Sequence, residues 1–256
     1  MTSTGQNGNL SIKITNHIAS VEFGHPAGNS FPTKLLARLT DAFIDLSNNK
    51  DVHVIVLKSE GDRAFCAGAS FDELMAITNL SEGKTMFSGF ANAINAMRNC
   101  SKLIIGRVQG KAVGGGVGLA SACDYVMASV NASIKLSELT IGIGPFVIAP
   151  AIERKMGTAA LSELSLNASK WKNAYWAKEK GLYADVFETI EELDKEVDLL
   201  ANNLASYNPQ ALYELKKVLW EGTEHWSELL KERAEISGEL VLSKFTKKAL
   251  NQFKKP

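Results

Sequence analysis

Two short segments rich in glycine and alanine carry the clearest chemical signal in the chain. Residues 64–70 read Ala-Phe-Cys-Ala-Gly-Ala-Ser, and residues 114–118 read Gly-Gly-Gly-Val-Gly. Each segment lies between a predicted strand and a predicted helix, where small residues let a substrate touch the backbone and a helix N-terminus directs N–H groups at negative charge. The two segments therefore predict a site that stabilises an oxyanion.

The glycine run also has to be compared with nucleotide-binding loops. A G-x-G-x-x-G fingerprint that starts at Gly114 needs glycine at position 119, where the chain has Leu119. A phosphate loop that ends at Gly110-Lys111 needs glycine at position 105, where the chain has Ile105. The spacing therefore argues against both kinds of nucleotide site.

Glu138 is predicted to be a buried carboxylate. It follows the glycine run in sequence, and its neighbours Leu136 and Leu139 predict that this stretch is buried. A solvated surface glutamate is the structural alternative.

Metal, disulfide and nucleophilic cysteine chemistry are not indicated by the sequence. The cysteines Cys66, Cys100 and Cys123 form no C-x-x-C pair, and the four histidines show no metal-ligand spacing. We therefore predict no metal site and a reducing compartment. Cys66 lies inside the first loop without a base nearby in sequence, which favours a packing role.

Charge and hydropathy exclude several classes of partner. Lys plus Arg total 28 and Asp plus Glu total 28, so no net field attracts nucleic acid or an acidic membrane surface. No apolar run approaches the roughly 18 residues of a membrane span, and no basic segment followed by an apolar one opens the chain. We expect a cytoplasmic protein that binds neither nucleic acid nor membrane.

The pattern of apolar residues predicts an α/β core over residues 1–195 and a helical section over residues 196–256. Alternating residues on either side of Asn16-His17 indicate a hairpin, and Pro32 begins a stretch with helical spacing. Helical stretches are expected up to residue 77, around residues 86–97 and over residues 119–123. Further strands are predicted at residues 54–57, 103–108, 125–128 and 134–136. From residue 150 onward helices dominate, separated by Gly157, Gly181 and Asn208-Pro209, with one strand over residues 183–187.

Several of these motifs together resemble the enoyl-CoA hydratase/isomerase (crotonase) family. Residues 64–69 resemble the first family signature, and residues 110–120 followed by Cys123-Asp124 resemble the second. His25-Pro26 resembles the family's Arg-Pro turn, and Ser137-Glu138 with Gly142 resembles its Pro-Glu motif. The resemblance covers nearly the whole chain.

The resemblance implies a fold and a class of substrate. It implies a crotonase-like spiral of ββα units with a helical C-terminal section that forms homotrimers, alone or as a dimer of trimers. It implies an acyl-CoA thioester as substrate, with coenzyme A as part of that substrate and no separate cofactor. The residues that match the family's oxyanion hole are Ala69 and Gly115, and Glu138 matches its acid/base. Further residues matched to substrate binding are Pro26, Ala27, Ala64, Ala67, Gly68, Gly114 and Gly118.

The family comparison also bears on the reaction. Hydratases of the family carry two glutamates twenty residues apart, and the first of these positions is Gly118 here, while the second is Glu138. One carboxylate is enough to shuttle a proton and move a double bond, whereas hydration must also activate water. Residues 141–146 also resemble the family's Δ3,Δ2-enoyl-CoA isomerases. Isomerisation is therefore the leading expectation; the alternatives are an enoyl-CoA or methylglutaconyl-CoA-type hydratase and a non-catalytic binding protein on the same scaffold.

Overall fold

The structure is a computed structural model and describes residues 7–252. A β-hairpin opens this part of the chain. Strands β1 (Asn9–Thr15) and β2 (Ile18–Gly24) pair antiparallel. The two turn residues, Asn16 and His17, have φ angles of 50° and 65°, the left-handed conformation that a tight two-residue hairpin turn requires. The hairpin predicted around these residues is confirmed.

Two β-sheets form the centre of the fold. The larger contains β1, β2, β3 (Val54–Ser59), β5 (Leu103–Val108), β7 (Tyr125–Ser129) and β10 (Asp185–Phe187), in that order. The smaller contains β4 (Ala64–Cys66), β6 (Lys111–Val113), β8 (Ser133–Lys135) and β9 (Lys172–Asn173). All neighbours pair parallel except β1 with β2 and β8 with β9.

The chain repeats a strand, strand, helix unit, as predicted. Both strands of the hairpin belong to the larger sheet. In the three units that follow, the first strand (β3, β5 or β7) joins the larger sheet and the second (β4, β6 or β8) joins the smaller one. Helix α1 (Thr33–Asn48) follows the hairpin, α2 (Phe71–Ala76) and α3 (Leu80–Asn99) follow β4, and α4 (Gly115–Ala122) follows β6. A 3₁₀ helix (Glu138–Ile141) and α5 (Ala149–Leu166) follow β8. Because β4, β6 and β8 are parallel neighbours, the loops after their carboxyl ends meet at one edge, which is where α/β folds bind ligands.

Helices dominate the rest of the described chain. They are α6 (Ala174–Glu179), α7 (Ile190–Ser206), α8 (Pro209–Leu219), α9 (Trp226–Leu240) and α10 (Lys244–Asn251). The boundary predicted between the core and the helical section, at residues 195 and 196, falls inside α7 and stays a prediction. Residues 1–6 and 253–256 lie outside the described part of the chain. No helix within residues 7–252 is long and apolar enough to cross a membrane.

Some local features differ from the sequence expectation, and one agrees with it. Helix α4 begins at Gly115, four residues before the predicted start, because its glycines hid the helical pattern. Gly157 was expected to separate two helices, and this prediction is confirmed: its backbone is non-helical (φ 80°, ψ 161°) and divides the span of α5 into two helical parts. Strand β9 was not predicted, since two residues are too few to show an alternating pattern.

Asp124 ties the C-terminal helices to the sheets. Its Oδ2 lies 2.7 Å from Nζ of Lys216, and its Oδ1 accepts a hydrogen bond of 2.7 Å from Nε1 of Trp220. The backbone N–H of Ile104 donates a further bond to Oδ2. Both partners of the ion pair are almost completely buried. Removing either charge would leave the other buried and unpaired, which is strongly destabilising.

Candidate active site

A cavity of about 340 Å³ lies where the loops after β4, β6 and β8 meet. It brings together six of the residues that the sequence pointed to: Ala67, Gly68, Ala69, Gly114, Gly115 and Glu138. Four others do not line it: Pro26, Ala27, Ala64 and Gly118. The two glycine-rich loops and the carboxylate, far apart in sequence, therefore form one site.

The first loop exposes a backbone N–H at Ala69. Phe31 pairs with this loop as a short parallel bridge, in which its N–H donates to the carbonyl of Gly68 at 2.8 Å and its carbonyl accepts from Ser70 N–H at 2.9 Å. This pairing occupies the carbonyl of Gly68 and the N–H of Ser70, the residues on either side of Ala69. Among the described residues no acceptor takes a hydrogen bond from Ala69 N–H, so this donor is available to a ligand in the cavity that Ala69 lines.

The second loop presents a helix N-terminus. The N–H of Gly114 donates to the carbonyl of Lys135 at 2.9 Å, and the carbonyl of Gly114 accepts from Val117 N–H at 2.8 Å. Gly115 is the first residue of α4, where an N–H has no partner inside its own helix. No acceptor in the described chain binds Gly115 N–H either. The helix dipole adds partial positive charge at this point.

Close contact between the loops explains their small residues. A Cβ atom at Gly68 would lie 3.0 Å from the carbonyl oxygen of Val113 and 3.7 Å from the nitrogen of Gly115. A Cβ atom at Gly116 would lie 2.6 Å from the carbonyl oxygen of Cys66. Larger side chains would push the two loops apart and separate the two N–H donors.

Glu138 lies in the 3₁₀ helix that follows β8 and lines the cavity. Its Oε2 is buried and has no hydrogen-bond partner within the described chain. Burial raises the pKa of this carboxyl from 4.5 to about 7, and a hydrogen bond from its own backbone opposes part of that effect. The sequence predicted that both of its neighbours Leu136 and Leu139 are buried. Leu136 is buried, but Leu139 is 45% exposed. Adjacent residues of a 3₁₀ helix point to different sides, so Leu139 turns away from the core.

The C-terminal helix α10 holds the end of the segment that carries Glu138. The N–H of Ile143 donates to the carbonyl of Glu138 at 3.0 Å, which closes the turn through Gly142. The hydroxyl of Thr246, a fully buried residue of α10, donates to the carbonyl of Gly142 at 3.2 Å. This contact joins residues 104 positions apart. No signal in the sequence indicated it.

Gly118 lies behind the cavity wall rather than in it. A Cβ atom at Gly118 would lie 2.7 Å from Cβ of Ile148, and Ile148 itself lines the cavity. The position where family hydratases carry their first glutamate is therefore filled by an apolar side chain. Glu138 is the only carboxylate among the lining residues.

The segments matched to coenzyme A binding lie beside one another next to the cavity. Ala67 N–H donates to the carbonyl of Gly28 at 3.0 Å. The side-chain amide of Asn29 donates to the carbonyl of Ala64 at 2.8 Å. Pro26 and Ala27 are exposed on the same loop as Gly28. Their role in binding coenzyme A stays a prediction.

The thiol of Cys66 is a poor nucleophile. Burial raises its pKa to about 12, although a hydrogen bond from the backbone of Gly68 opposes that effect, so the thiolate form is scarce at neutral pH. Its Sγ accepts that bond at 3.3 Å, which supports the turn of the first loop. No group of three or more metal-ligating side chains occurs among the described residues.

Sequence reasoning missed most of the apolar cavity wall. Phe90 lies in the helical stretch predicted around residues 86–97, and it both packs in the core and lines the cavity. Helical spacing predicts burial but does not say which buried residues border a cavity. Lys135 and Ile148 also line the cavity and were not identified from the sequence.

The sequence matches the family model described as Enoyl-CoA hydratase/isomerase over residues 13–254. A peroxisomal Delta(3,5)-Delta(2,4)-dienoyl-CoA isomerase of Arabidopsis thaliana is 30% identical to this chain, over 75% of this chain and 76% of its own. A probable enoyl-CoA hydratase of Bacillus subtilis is 26% identical over 95% of both chains. The crystal structure of enoyl-CoA hydratase from Bacillus halodurans shares the fold, with a TM-score of 0.88 at 21% identity, covering 95% of this chain and 99% of that one. The protein therefore belongs to the enoyl-CoA hydratase/isomerase family of enzymes.

Proposed function

We propose that the enzyme converts 3-enoyl-CoA thioesters to 2-enoyl-CoA thioesters. The observation that carries this proposal is the single carboxylate of the cavity, Glu138, together with the apolar Ile148 against Gly118. Moving a double bond needs one group that takes a proton and returns it two carbons away. Hydration would need a second group to position and activate water.

The reaction begins when the thioester oxygen accepts hydrogen bonds from Ala69 N–H and Gly115 N–H. The Glu138 carboxylate takes a proton from C2, and the electron pair of the broken C–H bond passes into a dienolate whose negative charge rests on the thioester oxygen. Each backbone donor contributes about 3–4 kcal/mol to the stabilisation of such a charge. Glu138 then returns the proton to C4, which leaves the double bond between C2 and C3 and restores the carboxylate.

The raised pKa of Glu138 suits this shuttle. With a pKa of about 7 the carboxylate is available near neutral pH and is a stronger base than an ordinary glutamate. A cavity wall built largely from apolar side chains keeps the charge poorly solvated. The reaction requires no separate cofactor, since coenzyme A belongs to the substrate.

The test is to incubate the protein with 3-hexenoyl-CoA and with 2-hexenoyl-CoA and to follow both mass and absorbance. The proposal expects the absorbance of a conjugated thioester to grow from 3-hexenoyl-CoA with no change in mass. A gain in mass by one water from 2-hexenoyl-CoA, at ordinary enzyme rates of about 1–10³ per second, identifies the enzyme as a hydratase and contradicts the proposal. Methylglutaconyl-CoA, supplied in parallel, tests the branched hydratase alternative.

We also infer that the C-terminal helices assemble homotrimers, alone or in pairs. Large apolar side chains are exposed on α8 and α10: Leu215, Val218, Leu219 and Phe245. Exposed apolar patches of this kind are typical of subunit contacts. Light scattering at micromolar concentration should give three or six times the mass of one chain, and a monomer would contradict the inference.

A further inference from the structure

Two lysines of the smaller sheet, one of which lines the cavity, contact the same aromatic ring. The Nζ atoms of Lys135 and Lys111 lie 4.7 Å and 5.3 Å from the ring centroid of Trp171. Both ammonium groups contact the same ring, so two like charges are held at one aromatic side chain. Within residues 7–252 neither of them forms an ion pair or a hydrogen bond with a carboxylate. Such a pair of cations is a ready site for an anion.

The register of the smaller sheet places these lysines on its outer face. Val113 of β6 is opposite Lys135 of β8, and the buried Ala112 is opposite the buried Ile134. Side chains alternate between the two faces of a strand, so Lys111 lies on the same face as Val113 and Lys135. Val113 and Lys135 also line the cavity. Lys135 therefore borders the space that holds Glu138, and Lys111 lies on the same face of the sheet.

Lys135 is not the counter-ion of Glu138. The two side chains form no ion pair, and attraction to a cation is not among the causes that set the pKa of Glu138, which burial raises. Lys135 is the only cation and Glu138 the only anion among the residues that line the cavity. The ammonium group of Lys135 is therefore available to bind an anion other than the Glu138 carboxylate.

The position of Lys135 indicates that this anion is part of the acyl chain of the substrate. The carbonyl of Lys135 is bonded to Gly114 N–H, one residue from the predicted oxyanion donor Gly115, so Lys135 lies close to the thioester. The phosphates of coenzyme A are separated from the thioester by the whole pantetheine arm. Lys111 lies on the strand beside Ala64, which was matched to coenzyme A, but its ammonium points across the sheet toward Trp171. A carboxylate is the anion that an acyl chain carries.

We propose that Lys135, with Lys111 and Trp171, binds a carboxylate on the acyl group, so that the enzyme acts on CoA thioesters of dicarboxylic acids. This inference rests on the proposed function for the reaction but concerns binding alone. The indole ring attracts both ammonium groups, and because each ammonium has three N–H donors, hydrogens remain that can donate to a carboxylate. A charge-assisted hydrogen bond of this kind discriminates strongly against a methyl group in the same place.

The test compares binding of adipoyl-CoA and hexanoyl-CoA, which have the same chain length and differ in a terminal carboxylate and a terminal methyl. Both acyl chains are saturated, so neither can isomerise, and calorimetry reports affinity even if the proposed reaction is wrong. Wild-type protein should bind adipoyl-CoA about tenfold more tightly. Lys135→Met should remove most of this preference, Lys111→Met should reduce it, and Lys135→Arg, which keeps the charge, should retain it.

Lys50→Met is the matched control, since Lys50 is an exposed residue just beyond α1. It should leave both affinities unchanged. A wild-type protein that binds the two thioesters equally overturns the inference. So does a Lys135→Met variant that loses affinity for hexanoyl-CoA as much as for adipoyl-CoA, because the lysine would then serve coenzyme A or the fold instead of the acyl carboxylate.

Discussion

Ile148 packs against Gly118, and a Cβ atom on Gly118 would lie 2.7 Å from Cβ of Ile148. A family hydratase places a glutamate where this chain has Gly118, so the contact determines whether a second carboxylate can enter the cavity. It cannot enter unless Ile148 moves. The reaction is thereby linked to an apolar contact between residues thirty positions apart in sequence.

We predict that Gly118→Glu alone does not create a hydratase. The new side chain overlaps Ile148, and overpacking of this kind costs about 1–3 kcal/mol of folding free energy. Gly118→Glu combined with Ile148→Ala should provide room and raise hydration of 2-hexenoyl-CoA relative to isomerisation of 3-hexenoyl-CoA. Product ratios by mass and absorbance measure the change, with Ile148→Ala alone as the control. If Gly118→Glu alone hydrates 2-hexenoyl-CoA as fast as the double variant, Ile148 does not keep the second carboxylate out of the cavity.

The pKa of Glu138 predicts how the rate depends on pH. The shuttle starts from the carboxylate, so protonation removes the base. The ratio kcat/KM for 3-hexenoyl-CoA should therefore fall as the pH drops through about 7, tenfold for each further unit. Initial rates between pH 5 and pH 9 test this. A rate that stays level down to pH 5 would mean that the base has an ordinary carboxyl pKa.

The same pKa predicts a loss of stability with rising pH. The folded state holds the Glu138 proton up to about pH 7, whereas the unfolded chain releases it near 4.5, so folding takes up a proton between these values. This group's contribution to the free energy of unfolding should fall across that window by about 3 kcal/mol. Glu138→Gln has no such proton and should be more stable than wild type at pH 8 but not at pH 4. Urea denaturation at both pH values measures the difference; identical wild-type and variant curves at pH 8 would contradict it.

Thr246 should act as a positioning residue. Thr246→Val keeps the shape of the side chain but removes the bond to the Gly142 carbonyl, which should loosen the turn that carries Glu138. We expect kcat to fall by about tenfold with KM nearly unchanged, since a small misplacement of a reacting group is costly. Thr246→Ser restores the hydroxyl and should recover most of kcat. A purely structural role would instead leave kcat per folded molecule unchanged in Thr246→Val.

Local chemistry explains which parts were predictable from sequence. The strands around residues 54 and 103 are short, apolar and rich in β-branched residues, and the hairpin has a turn sequence, so each was predictable on its own. The two glycine loops and Glu138 were identified because their residue types fit one chemistry. The Ile148 contact with Gly118 and the Trp171 contact with Lys135 join residues from different elements. Such pairings arise from the packing of whole elements, and no periodic pattern reports them.

In the proposed mechanism Glu138 alone moves the proton. Glu138→Gln keeps the shape and most hydrogen bonding of the side chain but removes the titratable group. The decisive measurement is kcat of this variant on 3-hexenoyl-CoA, alongside its affinity for hexanoyl-CoA, which cannot react. We predict that kcat falls by about 10²–10⁴-fold while hexanoyl-CoA binds as tightly as to wild type. A Glu138→Gln variant that turns over 3-hexenoyl-CoA at the wild-type rate would contradict it.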